Sequence, residues 1–167
     1  SSQDHKRALD HDRGLNTGGM GTFAPSKFYT SELAAYCEEH IFRPTVDAMN
    51  REGRTFKGVL YFGLMITDSG VKVLEYNARF GDPETQVVLP LLKTDLLDVF
   101  DACIDGTLDR LTLEWEDNAC VCVILASGGY PQSYPKGLPI TIGALEDGVF
   151  LYHAGTAFDV DGRLVTS

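Results

Sequence analysis

Apolar and polar positions alternate along the chain with a period that changes several times, and each change predicts an element. Leu33, Cys37 and Ile41 recur every fourth residue from about Ser31, the spacing of a helix with one inward face. The pattern ends at Gly53, a residue suited to a helix C-terminal cap. Pro44 lies inside it and predicts a kink or division with helix on both sides. Two apolar runs follow, KGVLYFGLMIT and VKVLEYN, joined by Asp68-Ser69-Gly70. They predict a β-hairpin with a short glycine-containing turn. After the polar RFGD turn, Pro83 is placed to begin a helix reaching Leu92. A further helix is predicted from Thr94 as N-cap to Gly106, burying Leu97, Phe100 and Ile104.

The two ends of the chain lack this helical period. Residues 1–29 hold DHKR, HDRGLNTGGMG and Pro25 with little apolar repetition, and read as loop-rich. The pattern changes again near residue 114. NACVCVILAS is apolar at successive positions, as a central strand covered on both faces would be. GGYPQSYPKG reads as a loop, and ITIGAL, VFLYHAG, TAFDV and RLVTS as short strands separated by EDG and VDG turns. The expected class is α+β, with residues 1–114 forming one domain and 115–167 an incomplete β-rich one. Both ends of the sequence look abrupt, and a longer parent polypeptide is expected.

Composition narrows the classes of function. The chain has 167 residues, 44% hydrophobic and 23% charged, the balance of a globular protein and not of a disordered one. A formal net charge of −10 argues against nucleic acid as a partner, because phosphate backbones require clustered Lys and Arg. A nucleotide held through a divalent cation stays compatible with it. No apolar run is long enough to span a bilayer, and SSQDHKR contains no signal-peptide segment. Cys37, Cys103, Cys120 and Cys122 form no CxxC pair. They are expected to be reduced, mostly buried thiols of a cytoplasmic protein and not a zinc site.

The chemistry concentrates in VLEYNARFGDPETQ, residues 73–86. On a strand, Val73, Glu75 and Asn77 would point one way and Leu74 and Tyr76 the other. A carboxylate and an amide on one face offer oxygen ligands of the kind Mg²⁺ takes together with nucleotide phosphates; the same pair also suits an ordinary solvent-facing strand. Arg79 shares that face if the strand persists, and its planar fork suits phosphate or carboxylate. Asp82 and Glu84 stand at the start of the next helix, where carboxylates also serve simply as caps.

Asn16, Thr17, Gly18, Gly19, Met20 and Gly21 form a second cluster, whose glycines allow close approach of backbone to an anion. It matches neither the dinucleotide fingerprint nor a P-loop, and many such loops are only turns. Asp4, His5, Lys6 and Arg7 precede it and, taken alone, read as a solvated charge cluster.

QDHKR, NTGGMG and VLEYNARFGDPETQ, in this order and near this spacing, together resemble the phosphoribosylamine–glycine ligases, ATP-grasp enzymes of purine biosynthesis. GLMIT, LPLLKTDL, ASGGYP and HAGTA extend the resemblance over essentially the whole chain. It implies that residues 1–114 are the second half of an ATP-grasp domain, an antiparallel sheet with helices, followed by a small truncated β-rich domain. It implies ATP, glycine and 5-phosphoribosylamine as substrates and Mg²⁺ or Mn²⁺ as cofactor. Glu75 and Asn77 would be metal ligands bridging the ATP phosphates, and Arg79 would stabilise the transferring phosphoryl group or the acyl phosphate. Asp82 and Glu84 would lie in the substrate-side loop, with Asp82 acting beside Arg79 in the chemistry. Residues 16–21 would line the acceptor side, and Asp4, His5 and Lys6 would border the nucleotide. A monomer without nucleic-acid or membrane partners is expected. Gly63 stands where many relatives in the wider superfamily carry another metal carboxylate. The glycine-rich flap and nucleotide-binding lysine of the fold would precede residue 1. Another carboxylate–amine ligase, a biotin-dependent carboxylase and a non-catalytic module that kept the fold are the alternatives.

Overall fold

The computed structural model describes residues 1–167. Short strands β1 (Gln3–Asp4), β2 (Arg7–Leu9), β3 (Arg13–Asn16) and β4 (Gly21–Ala24) precede helices α1 (Ser31–Cys37) and α2 (Arg43–Arg51). The hairpin strands β5 (Tyr61–Thr67) and β6 (Gly70–Asn77) follow, then helices α3 (Thr85–Val88) and α4 (Leu96–Asp105). Strands β7 (Cys120–Val123), β8 (Thr156–Phe158) and β9 (Leu164–Thr166) complete the order. Every strand pairing is antiparallel. The expected class, antiparallel sheets with helices followed by a β-containing tail, is what the chain adopts.

The chain divides into two compact units, Ser1–Lys6 with Gly18–Ile124, and Arg7–Thr17 with Leu125–Ser167. The first unit holds a three-stranded sheet in the order β1-β4-β7 and the β5-β6 hairpin. Residues 1–29 are therefore more ordered than their irregular pattern suggests, because strand pairing to distant partners needs no local repeat. The second unit holds the β2-β3 and β8-β9 hairpins. Of the four strand candidates in the tail, only TAFDV and RLVTS contain strands.

Helix α1 starts where Thr30 accepts a hydrogen bond from the Leu33 amide at 3.3 Å. Pro44 does not break the helix. Residues Glu38–Phe42 instead form a π-helical turn between α1 and α2, an arrangement that accommodates a position with no amide to donate. The stretch ends near Gly53 at φ +70°. Past Pro83, α3 is only one turn long and gives way to a 3₁₀ turn at Leu89–Leu91. Helix α4 is capped by Asp95, which accepts from the Leu97 amide at 2.8 Å, and it closes on Gly106 at φ +70°. Thr94 bonds instead to the Glu114 amide.

Two expectations about burial are corrected. Leu97 and Ile104 are each 68% exposed, so α4 does not bury its apolar stripe against this chain. Strand β7 lies at the sheet edge, with Val121 and Val123 each 71% exposed. An apolar run reports a preference for burial on both faces; only the face of Cys120 and Cys122 meets α3. The core of the first unit lies there, with Thr22, Ala24, Pro83 and Val87 buried. All four cysteines are free, and Cys37 alone is fully buried. No helix is long and apolar enough to cross a membrane.

Candidate active site

Strand β6 presents Glu75 and Asn77 through an irregularity in its pairing. From the turn inward, Thr67 lies opposite Gly70 and Leu64 opposite Val73; beyond them Gly63 faces Glu75 and Tyr61 faces Asn77. Leu74 is thus an extra residue, a β-bulge that changes which side chains share a face. Directly paired residues lie on the same side of a sheet. Val73 therefore joins Leu64, Phe62 and Tyr76, whereas Glu75 and Asn77 join Gly63 and Tyr61. The first face packs against the helical stretch: Phe62 meets Phe42 at 4.5 Å and Tyr76 at 5.2 Å. Val73 and Tyr76 also line a groove with Ile41, Pro44 and Met49. The expectation that Val73 shares the face of Glu75 and Asn77 is corrected by the bulge. Glu75 and Asn77, both beyond it, do share one.

Arg79 lies past the end of β6, where the chain bends, and its Nη1 donates to the Phe80 carbonyl at 2.8 Å. Asp82 is exposed and accepts from Gln86 Nε2 at 2.7 Å. Its charge also reaches Cys122, whose thiol is pushed above its usual pKa by burial first, then by Cys120 and Asp82. Glu84 is 6% exposed. It is the N-cap residue of α3, but its side chain makes no capping bond; its Oε1 accepts a 2.8 Å hydrogen bond from the Tyr61 hydroxyl. The glutamate packs over Gly81, where an added Cβ would lie 2.8 Å from Glu84 Cδ.

Strand β1 brings in the amino-terminal residues. Lys6 Nζ pairs with Asp4 Oδ2 at 2.6 Å, with the Asp4 side chain 8% exposed. Partial burial pulls the Lys6 pKa down, but the Asp4 hydrogen bond and the charges of Asp4, Glu84 and Glu75 outweigh it, so it stands above the usual lysine value. The Tyr61 hydroxyl is raised as well, by burial first, then by its bond to Glu84 and the charges of Glu84, Asp4 and Glu75. One ammonium and one phenol thus lie within the field of the same three carboxylates. His5 follows Asp4 in an extended segment, its amide bonded to the Gly21 carbonyl at 2.9 Å and its ring 5.9 Å from Phe23.

The glycine-rich segment is split between the units, with Asn16 and Thr17 in the second and Gly18 to Gly21 in the first. Gly19, at φ +135°, is wedged against Pro83 and Asp4; a Cβ there would lie 2.8 Å from Asp4 Oδ1. The Met20 amide donates to the His5 carbonyl at 2.8 Å. Close packing of these backbones accounts for the glycine at 19. Three strands of sequence evidence (DHK, GGMG and RFGDPE) therefore converge on one region of the first unit. Tyr61, which the sequence pattern passed over, belongs to it too, as does Gly63, marked in the sequence only by the carboxylate it lacks; neither was paired there with the residue it faces. Correct pairing of the hairpin would have found them, but the bulge at Leu74 shifts that pairing by one.

Asp4 Oδ1 is buried without a hydrogen-bond partner, and Glu75 and Asn77 supply only oxygen donors on one face. No group of three or more His, Cys, Asp or Glu side chains is arranged to hold a metal ion. The residues present fit a hard divalent cation shared with a phosphate ligand, and not one enclosed by protein alone.

Comparison with known proteins identifies the family. Residues 1–85 match the family profile described as phosphoribosylglycinamide synthetase, ATP-grasp (A) domain, and residues 120–167 match the C domain of the same synthetase. The chain is 52% identical to the phosphoribosylamine–glycine ligase of Caldanaerobacter subterraneus, over 100% of this chain and 40% of that protein. It is 50% identical to the trifunctional purine biosynthetic protein adenosine-3 of Gallus gallus, over 99% of this chain and 17% of that protein. The crystal structure of phosphoribosylamine–glycine ligase from Thermotoga maritima superposes with a TM-score of 0.84 at 38% identity, covering 99% of this chain and 40% of that one. The chain thus spans about 40% of the length of the single-function ligases it matches. With the first profile alone covering just over half of its residues, the chain belongs to the phosphoribosylglycinamide synthetase family.

Proposed function

We propose that these residues form part of a phosphoribosylamine–glycine ligase of de novo purine biosynthesis. In the complete polypeptide, the γ-phosphate of ATP passes to a carboxylate oxygen of glycine and ADP departs. The amine of 5-phosphoribosylamine then attacks the acyl carbon, and phosphate leaves to give glycinamide ribonucleotide. Carboxylate oxygen is a poor leaving group, so phosphorylation supplies a better one, while the protein positions the reactants and neutralises charge. The observation that carries this reading is the Glu75–Asn77 oxygen face beside the Asp4, Lys6 and Glu84 cluster, in a chain of this family.

Glu75 and Asn77 would hold Mg²⁺ or Mn²⁺ against the ATP phosphates. The cation, when bound, offsets phosphate charge. Arg79, once its fork turns from the Phe80 carbonyl, stabilises the transferring phosphoryl group, with Asp82 beside it. Asp4, His5 and Lys6 border the nucleotide. Asp82, Glu84 and residues 18–21 line the acceptor side. The domain boundary is proposed at 114/115, within the interval 86–119 between the two family matches, which supports it. A monomer of the cytoplasm, without nucleic-acid or membrane partners, fits the acidic charge.

The 40% span supports a further part of the reading: turnover needs polypeptide beyond these residues. ADP release should depend on both glycine and phosphoribosylamine in the complete ligase and be absent from this chain alone. Release by the isolated chain that required both co-substrates would overturn the partial-site reading. A complete polypeptide inert with these substrates would overturn the assigned reaction.

A further inference from the structure

Gly63 lies directly opposite Glu75 in the β5-β6 hairpin. A Cβ added to Gly63 would stand 2.8 Å from Glu75 Cγ, 3.5 Å from Oε1 and 3.6 Å from Cδ. The whole Glu75 side chain therefore lies across the bare α-carbon of Gly63. Unlike Gly19 and Gly70, Gly63 has no left-handed backbone angle, so the torsion does not call for glycine. What matters at this position is the absent side chain. Leu74 bulges out one residue earlier, and its side chain is exposed. The bulge turns Glu75 onto the Gly63 face, and Gly63 gives it a surface to lie on.

We propose that Gly63 is a positioning residue, whose bare α-carbon sets the conformation from which the Glu75 carboxylate meets the divalent cation of a bound nucleotide. This rests on the reading of Glu75 as a metal ligand. Any side chain at 63 collides with Cγ, and Glu75 relieves the collision by rotating about its first side-chain bond. Glu75 is exposed, so that rotation is cheap for the fold. It nevertheless swings the carboxylate away from Asn77. Alanine is also the better strand residue of the two. The signature is therefore a loss of metal affinity without a loss of stability, which a purely structural glycine would not produce.

The test uses the complete ligase, with Mn²⁺ titrated by electron paramagnetic resonance in the presence of a non-hydrolysable ATP analogue, and thermal unfolding measured in parallel. Glu75→Gln and Gly63→Ala should each weaken Mn²⁺ binding by about tenfold or more, the size usual for groups that orient a metal ligand. Affinity for the analogue without metal, and the unfolding temperature of Gly63→Ala, should stay at the parent values. Wild-type Mn²⁺ affinity in Gly63→Ala, with loss in Glu75→Gln, would overturn the proposal and leave the metal reading standing. Wild-type affinity in Glu75→Gln would overturn the metal reading itself. The double variant Gly63→Ala with Glu75→Ala removes the colliding Cγ. It should unfold like Glu75→Ala alone and bind Mn²⁺ no more weakly. Should Gly63→Ala and the double variant both be unstable, the glycine serves the bulge and the proposal fails.

Discussion

The Tyr61 hydroxyl donates to the Glu84 carboxylate at 2.8 Å, joining the start of β5 to the turn after β6. Glu84 is one of two buried polar residues in the chain, the other being Thr22. A carboxylate out of water needs such a partner. The bond ties the RFGDPE turn to the strand that faces Glu75 and Asn77, so one element holds both groups of residues proposed for the site.

Tyr61→Phe leaves Glu84 buried without this donor and should cost about 1–3 kcal/mol. Glu84→Gln keeps an oxygen to accept the phenol proton and should cost less. Chemical denaturation of the two variants checks the order; equal stability of Tyr61→Phe and the parent would show that the bond contributes nothing.

Alkali should destabilise the fold through two tyrosines. Burial first, then Cys37 and Glu38, pushes Tyr29 up to about 12, and Tyr61 is raised as well. A phenol with a raised folded-state pKa binds its proton more tightly when folded. Its stabilisation is complete below the unfolded value near 10 and is lost as pH rises through the folded value. The tyrosine contribution to unfolding free energy should hold level up to about pH 10 and fall above it, and Tyr29→Phe combined with Tyr61→Phe should flatten that fall.

Gly19→Ala should be among the most damaging single-methyl changes. The new Cβ meets Pro83 and Asp4, and the backbone stands at φ +135°. Strain and overpacking together predict a loss of more than about 2 kcal/mol. Gly53→Ala shares only the positive φ, with open space around it, and should cost less. Thermal unfolding of the pair separates the contact from the torsion.

In the complete ligase, Glu75→Ala should abolish turnover, and Asn77→Ala should raise the Mg²⁺ concentration needed for half-maximal rate. Steady-state ADP release across a Mg²⁺ titration measures both. Unchanged activity of Glu75→Ala at ordinary Mg²⁺ would remove it from the metal site.

Local signals account for much of what could be read beforehand. Thr67, Asp68, Ser69 and Gly70 specify a tight turn through their own chemistry, and the hairpin formed around them. Gly106 ended α4 because a left-handed cap favours glycine. The faces of β6 were legible only in part, because the alternation carried Val73 along with Glu75. The insertion at Leu74 does leave a mark: in VKVLEYN the apolar positions fall at 71 and 73 and then at 74 and 76, so the alternation changes phase where the extra residue enters. Leu97 and Ile104 were misread for a different reason: their spacing states what they would bury against, and no element of this chain covers them.

The order of residues by itself determined the turns, the caps, the helical period and the pairing of a carboxylate with an amide two positions apart, because each depends on torsions and neighbours within a few residues. Tertiary structure decided that Tyr61 satisfies Glu84, and that Gly19 and Gly63 are empty for the sake of Asp4, Pro83 and Glu75. Those facts depend on segments brought together from distant parts of the chain. The space between such segments is set by packing, which no local pattern records.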